Sequence, residues 1–461
     1  MSADRTDVSR HLADLAASVD YSSLPAGAAE AAKKSILDTL GVTLAASGME
    51  PAVRSVVDLV RDCGGRPEAS ILGFSGRTSA IMAAFANGAM AHCLDYDDQT
   101  PWGQHASSSI VPAAFALAER MGGAPGRDMI AAVAAGQDIF ARLRCHVGWR
   151  KDWNLSSVLG IYAATAAGSR LLGLPRDEVH NALSIASQQS CGVMEVVSGT
   201  GGNLRGMYAG FPAKGAVVSA LLAQQGVTGV EALFEGRYGL FNTYFDGKYD
   251  RAEILKDLGA DFKGASTLYK LWPSVGTSHS HIHATIEIVR HHNVRAEEID
   301  TIRVYVGDYH NLMCTPIEAR RTPVTSIDAK FSLPFLVAIA AVRRSISVSD
   351  FTEAALHDPQ VLAVAQRVAP VEDSNLDWGL DLPPGRVEIV TRDGRRLERV
   401  GTSVPGSPES PMTWADVARK FEECASVART PPSPGQIGAA QQMARELDSL
   451  DDATEILRVL R

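Results

Sequence analysis

Apolar residues recur at helical spacing through most of the first 265 residues, and the texture changes near Lys270. Over 26–46, Ile36, Leu37, Leu40 and Leu44 fall on one helical face, with Gly48 reading as the stop. The segment 79–94 predicts a helix crowded with Ala80, Ala83, Ala84, Ala86, Gly88, Ala89 and Ala91, and side chains this small let helix backbones approach closely. Further helices are expected over 111–120, 129–143, 159–172, 178–187 and 213–225. Beyond Lys270, the alternation of Ile302, Val304 and Val306 predicts a half-buried strand over 299–306. The runs 386–390 and 395–400 flank Thr391-Arg392-Asp393-Gly394, whose Asp-Gly pair is a hairpin signal. Between them, 333–342 and 359–368 read as helix. After Pro405-Gly406-Ser407-Pro408 the helical period returns over 414–424 and 434–447, separated by a Pro-rich surface loop at 425–434. The chain therefore reads as mostly α. A large all-helical domain spans 1–265 and a smaller α+β domain spans 266–405, while 406–461 is expected to pack back on the helical domain.

Composition narrows the class. With 46% hydrophobic and 21% charged residues the chain can bury a sizeable core, and 6% aromatic content points to a core of Ala, Leu, Val and Ile. A formal charge of −9 with no long Lys/Arg cluster argues against general nucleic-acid binding. The opening residues carry no apolar h-region, and no run of 18 apolar residues suggests a membrane span. Six scattered cysteines without a Cys-x-x-Cys pair suit a reducing cytoplasm and exclude a zinc ribbon.

The densest chemistry lies in His92-Cys93-Leu94-Asp95-Tyr96-Asp97-Asp98, with His105 following. Three carboxylates within four residues repel one another, so at least one must be hydrogen-bonded or paired with a cation. A nearly uncharged helix ending in acids and histidine reads as opening into a cleft, against the plainer reading of a solvated acidic face. Ser107-Ser108-Ser109 is placed to cap the next helix. The run His279-Ser280-His281-Ile282-His283 invites a metal, but residues i and i+2 of a helix point about 200° apart, so no metal is assigned. One catalytic histidine at the helix entrance, with the others pointing away or exposed, is the expectation. No phosphate-binding glycine loop or Gly-x-Ser-x-Gly elbow occurs. The glycines of Ser198–Asn203 read as a mobile loop ahead of Leu204-Arg205-Gly206-Met207-Tyr208-Ala209-Gly210, where Arg205 is equally a ligand clamp or a surface residue.

Several short motifs in order resemble the family of 2-methylcitrate dehydratase, cis-aconitate decarboxylase and iminodisuccinate epimerase (MmgE/PrpD). They are Leu37-Asp38-Thr39-Leu40-Gly41, Asn87-Gly88-Ala89 through Asp98, Gly226-Val227-Thr228-Gly229 to Glu235-Gly236, Tyr269-Lys270, Ser278-His279 and Ala329-Lys330-Phe331-Ser332-Leu333-Pro334. The resemblance implies a large helical domain with an α+β lid, a homodimer, and no metal or organic cofactor. It places Asp95, His105 and His279 at the family's acid–base positions. The chain departs from the family pattern at Gln99 for Thr and at Trp153-Asn154-Leu155-Ser156 for Trp-His-Pro-Thr. It departs again at Arg205 and Tyr208, where Thr-Lys-x-x-His-Ala-Gly carries Lys and His. Arginine cannot exchange protons near neutral pH, so Arg205 can only anchor or neutralise an anion. The expected site is thus His279, His105, Asp95 and Tyr208 for catalysis, with Arg205, Lys270, Gln99 and Asn154 holding substrate.

The reaction implied is proton abstraction next to a carboxylate of a di- or tricarboxylate-type small molecule, most simply in a cofactor-independent cytoplasmic dehydratase. Epimerisation, decarboxylation and a binding protein that has lost catalysis are the alternatives.

Overall fold

The 24-residue helix Ala26–Met49 lies at the centre of a helical layer, in contact with Ala80–His92, Ser107–Met121, Gly126–His146 and Trp414–Ser426. Neighbours on several sides explain why it has no polar stripe. This computed structural model describes residues 6–199 and 202–461, so Thr200 and Gly201 of the glycine-rich segment and the first five residues lie outside the described residues. Helix accounts for 58% and strand for 8%, a mostly α chain as the periodicity predicts.

Two local readings of the helices change. Gly48 does not stop its helix, which runs on to Met49. A Cβ there would stand 2.1 Å from the Val427 carbonyl oxygen, so this glycine admits the tail backbone. The serines after His105 do not cap the next helix. Ser107–Met121 has Ala106 at its N-cap without a side-chain bond, and the Ser107 hydroxyl is turned onto Asp98. The close packing expected of the Ala/Gly-rich helix does occur. A Cβ on Gly88 would lie 3.0 Å from Gly210 Cα of the helix Gly210–Gln224.

The sheet has four strands in the order Val368–Glu372, Ile299–Val306, Gly385–Thr391, Arg396–Gly401. The predicted strand and hairpin are present and pair antiparallel, Ile302 opposite Ile389 and Val387 opposite Arg399. The strand Val368–Glu372 was not expected. The helix beside it, Pro359–Ala365, stops short of residue 368, and the chain then pairs parallel to Ile299–Val306. Pro370 cannot donate to a ladder, which suits this edge position and obscures the strand in the sequence. The hairpin lies on the first turn of the helix His279–His291, where a Cβ on Gly401 would meet the Ser280 carbonyl at 1.9 Å.

One apolar core runs from Val8 to Tyr269 and takes in Met412 to Leu460 of the tail. A second gathers Val197 and residues from Trp272 to Ile389 around the sheet, and a third joins Cys93, Leu94 and Tyr96 to Val348 and Cys424 beneath the acidic motif. The site therefore sits where the cores meet. Among the described residues no helix is long and apolar enough to cross a membrane.

Alanine normally improves a helix interior over glycine by about 0.5–1 kcal/mol. At Gly48 the sign should reverse. Gly48→Ala is expected to destabilise by about 1–3 kcal/mol, the scale of overpacking, read as a lower denaturant midpoint.

Candidate active site

The helix Ala80–His92 ends in a tight reversal in which Asp95 takes a left-handed φ of +48° and its N–H donates to the His92 carbonyl at 2.9 Å. Asp and Asn tolerate this conformation better than most residues. The turn buries His92, Asp95, Asp97 and Asp98 together. The Asp97 carboxylate accepts from His92 Nδ1 at 3.0 Å and faces His105 Nδ1 at 3.2 Å. His105 Nδ1 is also 2.7 Å from the Asp98 carbonyl, a contact that requires a hydrogen on that nitrogen. Assigned from these bonds, both rings carry their proton on Nδ1 and keep the Nε2 lone pair free.

Each carboxylate of the motif has its own compensation. Burial pushes Asp97 up, but His105 and His92 outweigh it and hold the group well below the ordinary carboxylate range. Burial is likewise the largest influence on Asp95 and pushes it up, but Lys270, His92 and His105 together hold it below its ordinary value. The Lys270 ammonium donates to the Asp95 carboxylate and, at 2.9 Å, to its backbone carbonyl. Among the described residues no cation forms an ion pair with Asp98. Burial and the nearby Asp38 push it to about 7, while Ser35 and Ser107 each donate to it at 2.6 Å.

His92, Asp95, Asp97 and His105 offer ligand atoms within 4.8 Å of one another, so the metal question belongs here rather than at the His-x-His-x-His run. The donor chemistry fits a cation poorly. The two Nε2 atoms could ligate, but Asp97 is taken up by the Nδ1 hydrogens of both rings and Asp95 by Lys270, so to gain a carboxylate a metal would have to displace an ammonium or break those bonds.

The predicted site residues fall around two adjoining cavities. His92, Asp95, His105, Asn154 and Tyr208 line a small one of about 50 Å³. Lys270 and His279 line a larger one of about 460 Å³, and Gln99, Gly276, Thr277 and Leu382 form walls of both. The two expected proton carriers thus stand on neighbouring cavities rather than on one. Burial, then Lys270, pushes His279 down to about 3, so it is a neutral imidazole, with Nε2 buried and unpartnered among the described residues.

His281 points away into the lid as expected but is not exposed. It is fully buried, with Nε2 2.9 Å from the Tyr305 carbonyl and its ring against His310, because the sheet covers that face of the helix. His283 is half-buried.

Arg205 is 5% exposed, which rules out the surface reading. Its guanidinium stacks 3.1 Å from the centroid of Phe331, a wall of the small cavity, and donates to the Gly199 carbonyl at 3.1 Å. Burial pushes it down to about 9, still a cation at neutral pH, with Tyr309, Asp95 and Asp328 opposing the shift. Tyr208 packs 4.4 Å from the His92 ring. Asn154 caps the helix Leu155–Val158 through Ser156 N–H at 3.1 Å, leaving its Nδ2 unpartnered among the described residues. Lys270, expected on substrate, is already committed to Asp95.

Asp97, which orients His105, and Asp98 lay in the run the sequence singled out, yet spacing could not say which carboxylate meets which ring. Arg144 gave no signal. It donates to Gln104 and, at 2.6 Å, to the Trp102 carbonyl, fixing the turn that leads into His105, and it faces Trp378 of the lid.

Asp98 generates a pH signature. The folded chain keeps this proton to about pH 7, whereas an unfolded aspartate releases it near 3.8. Between those values the unfolded chain binds fewer protons, so this group costs stability as pH rises and costs no more above about 7. The melting temperature of the wild type relative to Asp98→Asn should therefore fall from about pH 4 to 7 and then level off, as melting curves across pH would show.

Residues 10–252 match the MmgE/PrpD N-terminal domain and residues 272–441 match the MmgE/PrpD C-terminal domain. The cis-aconitate decarboxylase of Aspergillus terreus is 26% identical over 415 residues, covering 85% of this chain and 83% of that protein. Human cis-aconitate decarboxylase is 23% identical, covering 84% and 80%. The 2-methylcitrate dehydratase of Cupriavidus necator is 23% identical, covering 88% and 87%. With both family domains matched in order across most of its length, and the acidic motif and the two histidines gathered where its cores meet, the chain belongs to the MmgE/PrpD family.

Proposed function

We propose that this protein is a lyase that removes a proton next to a carboxylate of a di- or tricarboxylate-type acid, most simply in a dehydration. The observation that carries the reading is His105 on the wall of the small cavity, held through Nδ1 by Asp97 and the Asp98 carbonyl, with Nε2 facing the Asp95 carboxylate at 3.7 Å. A hydrogen α to a carboxylate is weakly acidic, so the base must be positioned and the developing charge stabilised. His105 takes the proton at Nε2, and Asp97 stabilises the imidazolium that forms. Arg205, a buried cation stacked on the Phe331 wall of the small cavity, holds a substrate carboxylate. Tyr208, held far above its ordinary range by burial and then Asp95, stays protonated and donates to the departing hydroxyl. His279, neutral on the adjoining cavity, serves as the second proton carrier from the lid side. All of this uses side chains alone, in a cytoplasmic homodimer that light scattering on the purified protein would check.

Decarboxylation is the second reading. Relatives named cis-aconitate decarboxylase reach 26% identity against 23–24% for those named 2-methylcitrate dehydratase. Loss of carbon dioxide also leaves a carbanion, which a histidine must then protonate. Incubation with candidate acids in deuterated water separates the outcomes. Dehydration gives an alkene, decarboxylation gives a shortened acid carrying deuterium, and epimerisation returns substrate with deuterium at the stereocentre.

His105→Gln and His279→Gln should each lower turnover by roughly 10²–10⁴-fold, the usual contribution of general acid–base catalysis. Full activity in the His105 variant would overturn the proposed base. Arg205→Met should weaken substrate binding by about 1.5–3 kcal/mol, the scale of a hydrogen bond to a charged group, with unchanged kinetics placing Arg205 outside the site.

A further inference from the structure

The two cavities differ in what they can accept. Their walls together carry three carboxylates, Asp95, Asp381 and Glu409, against one lysine, and that lysine is bound to Asp95. Asp381 and Glu409 stand exposed at the mouth of the larger cavity. Leu268, Leu382, Val404 and Pro405 give that cavity an apolar lining, and Thr277 and Thr402 add hydroxyls. Other buried cations nearby are engaged as well: Lys420 is paired with Asp38, and Lys330 donates to Ser326. Of the two buried guanidiniums beside the small cavity, Arg144 is held behind its Gln104 and Trp378 walls by Gln104 and the Trp102 carbonyl, which leaves Arg205, stacked on Phe331 and donating to the Gly199 carbonyl. A compact tri-anion would thus find one anchor and a net negative surround, a poor electrostatic match.

The geometry points to a substrate with a compact acid head in the small cavity and an uncharged, largely apolar arm in the 460 Å³ chamber that shares its Gln99, Gly276, Thr277 and Leu382 walls. This rests on the reading of His105 and Arg205 as the reacting end and narrows the substrate class to acids with one bulky neutral substituent. The chamber's size and lining suit an aryl or branched alkyl group, whose burial strengthens binding roughly in proportion to the apolar area removed from water.

Three acids with one head test this: malate, citrate (the same head with a charged carboxymethyl arm) and 2-benzylmalate (the same head with an uncharged aryl arm). Calorimetric titration of the full chain should show 2-benzylmalate binding about tenfold or more tighter than either of the others. Thr402→Trp, which fills the chamber mouth away from the reacting groups, should erase that preference and leave malate binding unchanged. Val404→Asp, which puts a charge on the apolar wall, should do the same and serves if the tryptophan variant folds poorly. Citrate binding tightest, or both variants leaving the preference intact, would overturn the inference. Deuterium exchange measured on the same acids keeps the two readings apart. A preference for the aryl arm without exchange supports the chamber and sinks the proposed reaction, whereas exchange with a preference for citrate sinks the chamber alone.

Discussion

Asp38, Asp95, Asp97 and Asp98 are buried within one small region, and the surrounding structure is arranged around neutralising them. An ionised carboxylate taken out of water without a partner is costly enough that it either captures a proton or is paired. Both outcomes occur here. Asp97 is flanked by two imidazoles, Asp95 by Lys270 and Asp38 by Lys420 at 2.7 Å, while Asp98 keeps its proton among serines. The lysines come from remote segments. Lys270 lies where the helical core hands over to the lid, and Lys420 lies in the tail helix Trp414–Ser426, where it also donates to the Tyr96 carbonyl at 2.5 Å. Buried pairs of this kind add little net stability against an apolar alternative, yet breaking one leaves a stranded charge. They therefore tie three distant pieces of chain to one turn.

The same constraint sets the chemistry. Because Asp97 and the Asp98 carbonyl take the Nδ1 hydrogens, Nε2 is the ring nitrogen of His105 left to act as a base in the proposed reaction. With Arg205 where the family pattern has lysine, that position holds a fixed cation, and the proposed reaction gives the proton transfers to the histidines. The lid adds a second neutral imidazole at the entrance of the helix His279–His291, positioned because Gly401 lets the hairpin lie directly on its first turn.

Helices, the central strand and the hairpin were legible in the sequence because each is encoded by local period: 3.6 for a buried helix face, 2 for a half-buried strand, and Asp-Gly for the turn. The acidic motif and its two histidines were legible because so many polar groups break an otherwise apolar pattern. Less local features were misread or missed. Gly48 looks like a stop because helices often end at glycine, yet here it is a contact with the tail. Pro370 hides an edge strand whose partner lies more than sixty residues away in the chain.

What the sequence by itself determined is the family, the mostly helical class and the residue types available for chemistry. Only the tertiary structure decided which of them meet: Lys270 with Asp95, Asp97 rather than Asp95 on His105 Nδ1, His281 sealed beneath the sheet, and His279 on a cavity beside that of His105. The reason is physical. Periodicity reports which face of an element is buried, while hydrogen bonds, ion pairs and the charge of a cavity wall depend on where segments hundreds of residues apart come to rest.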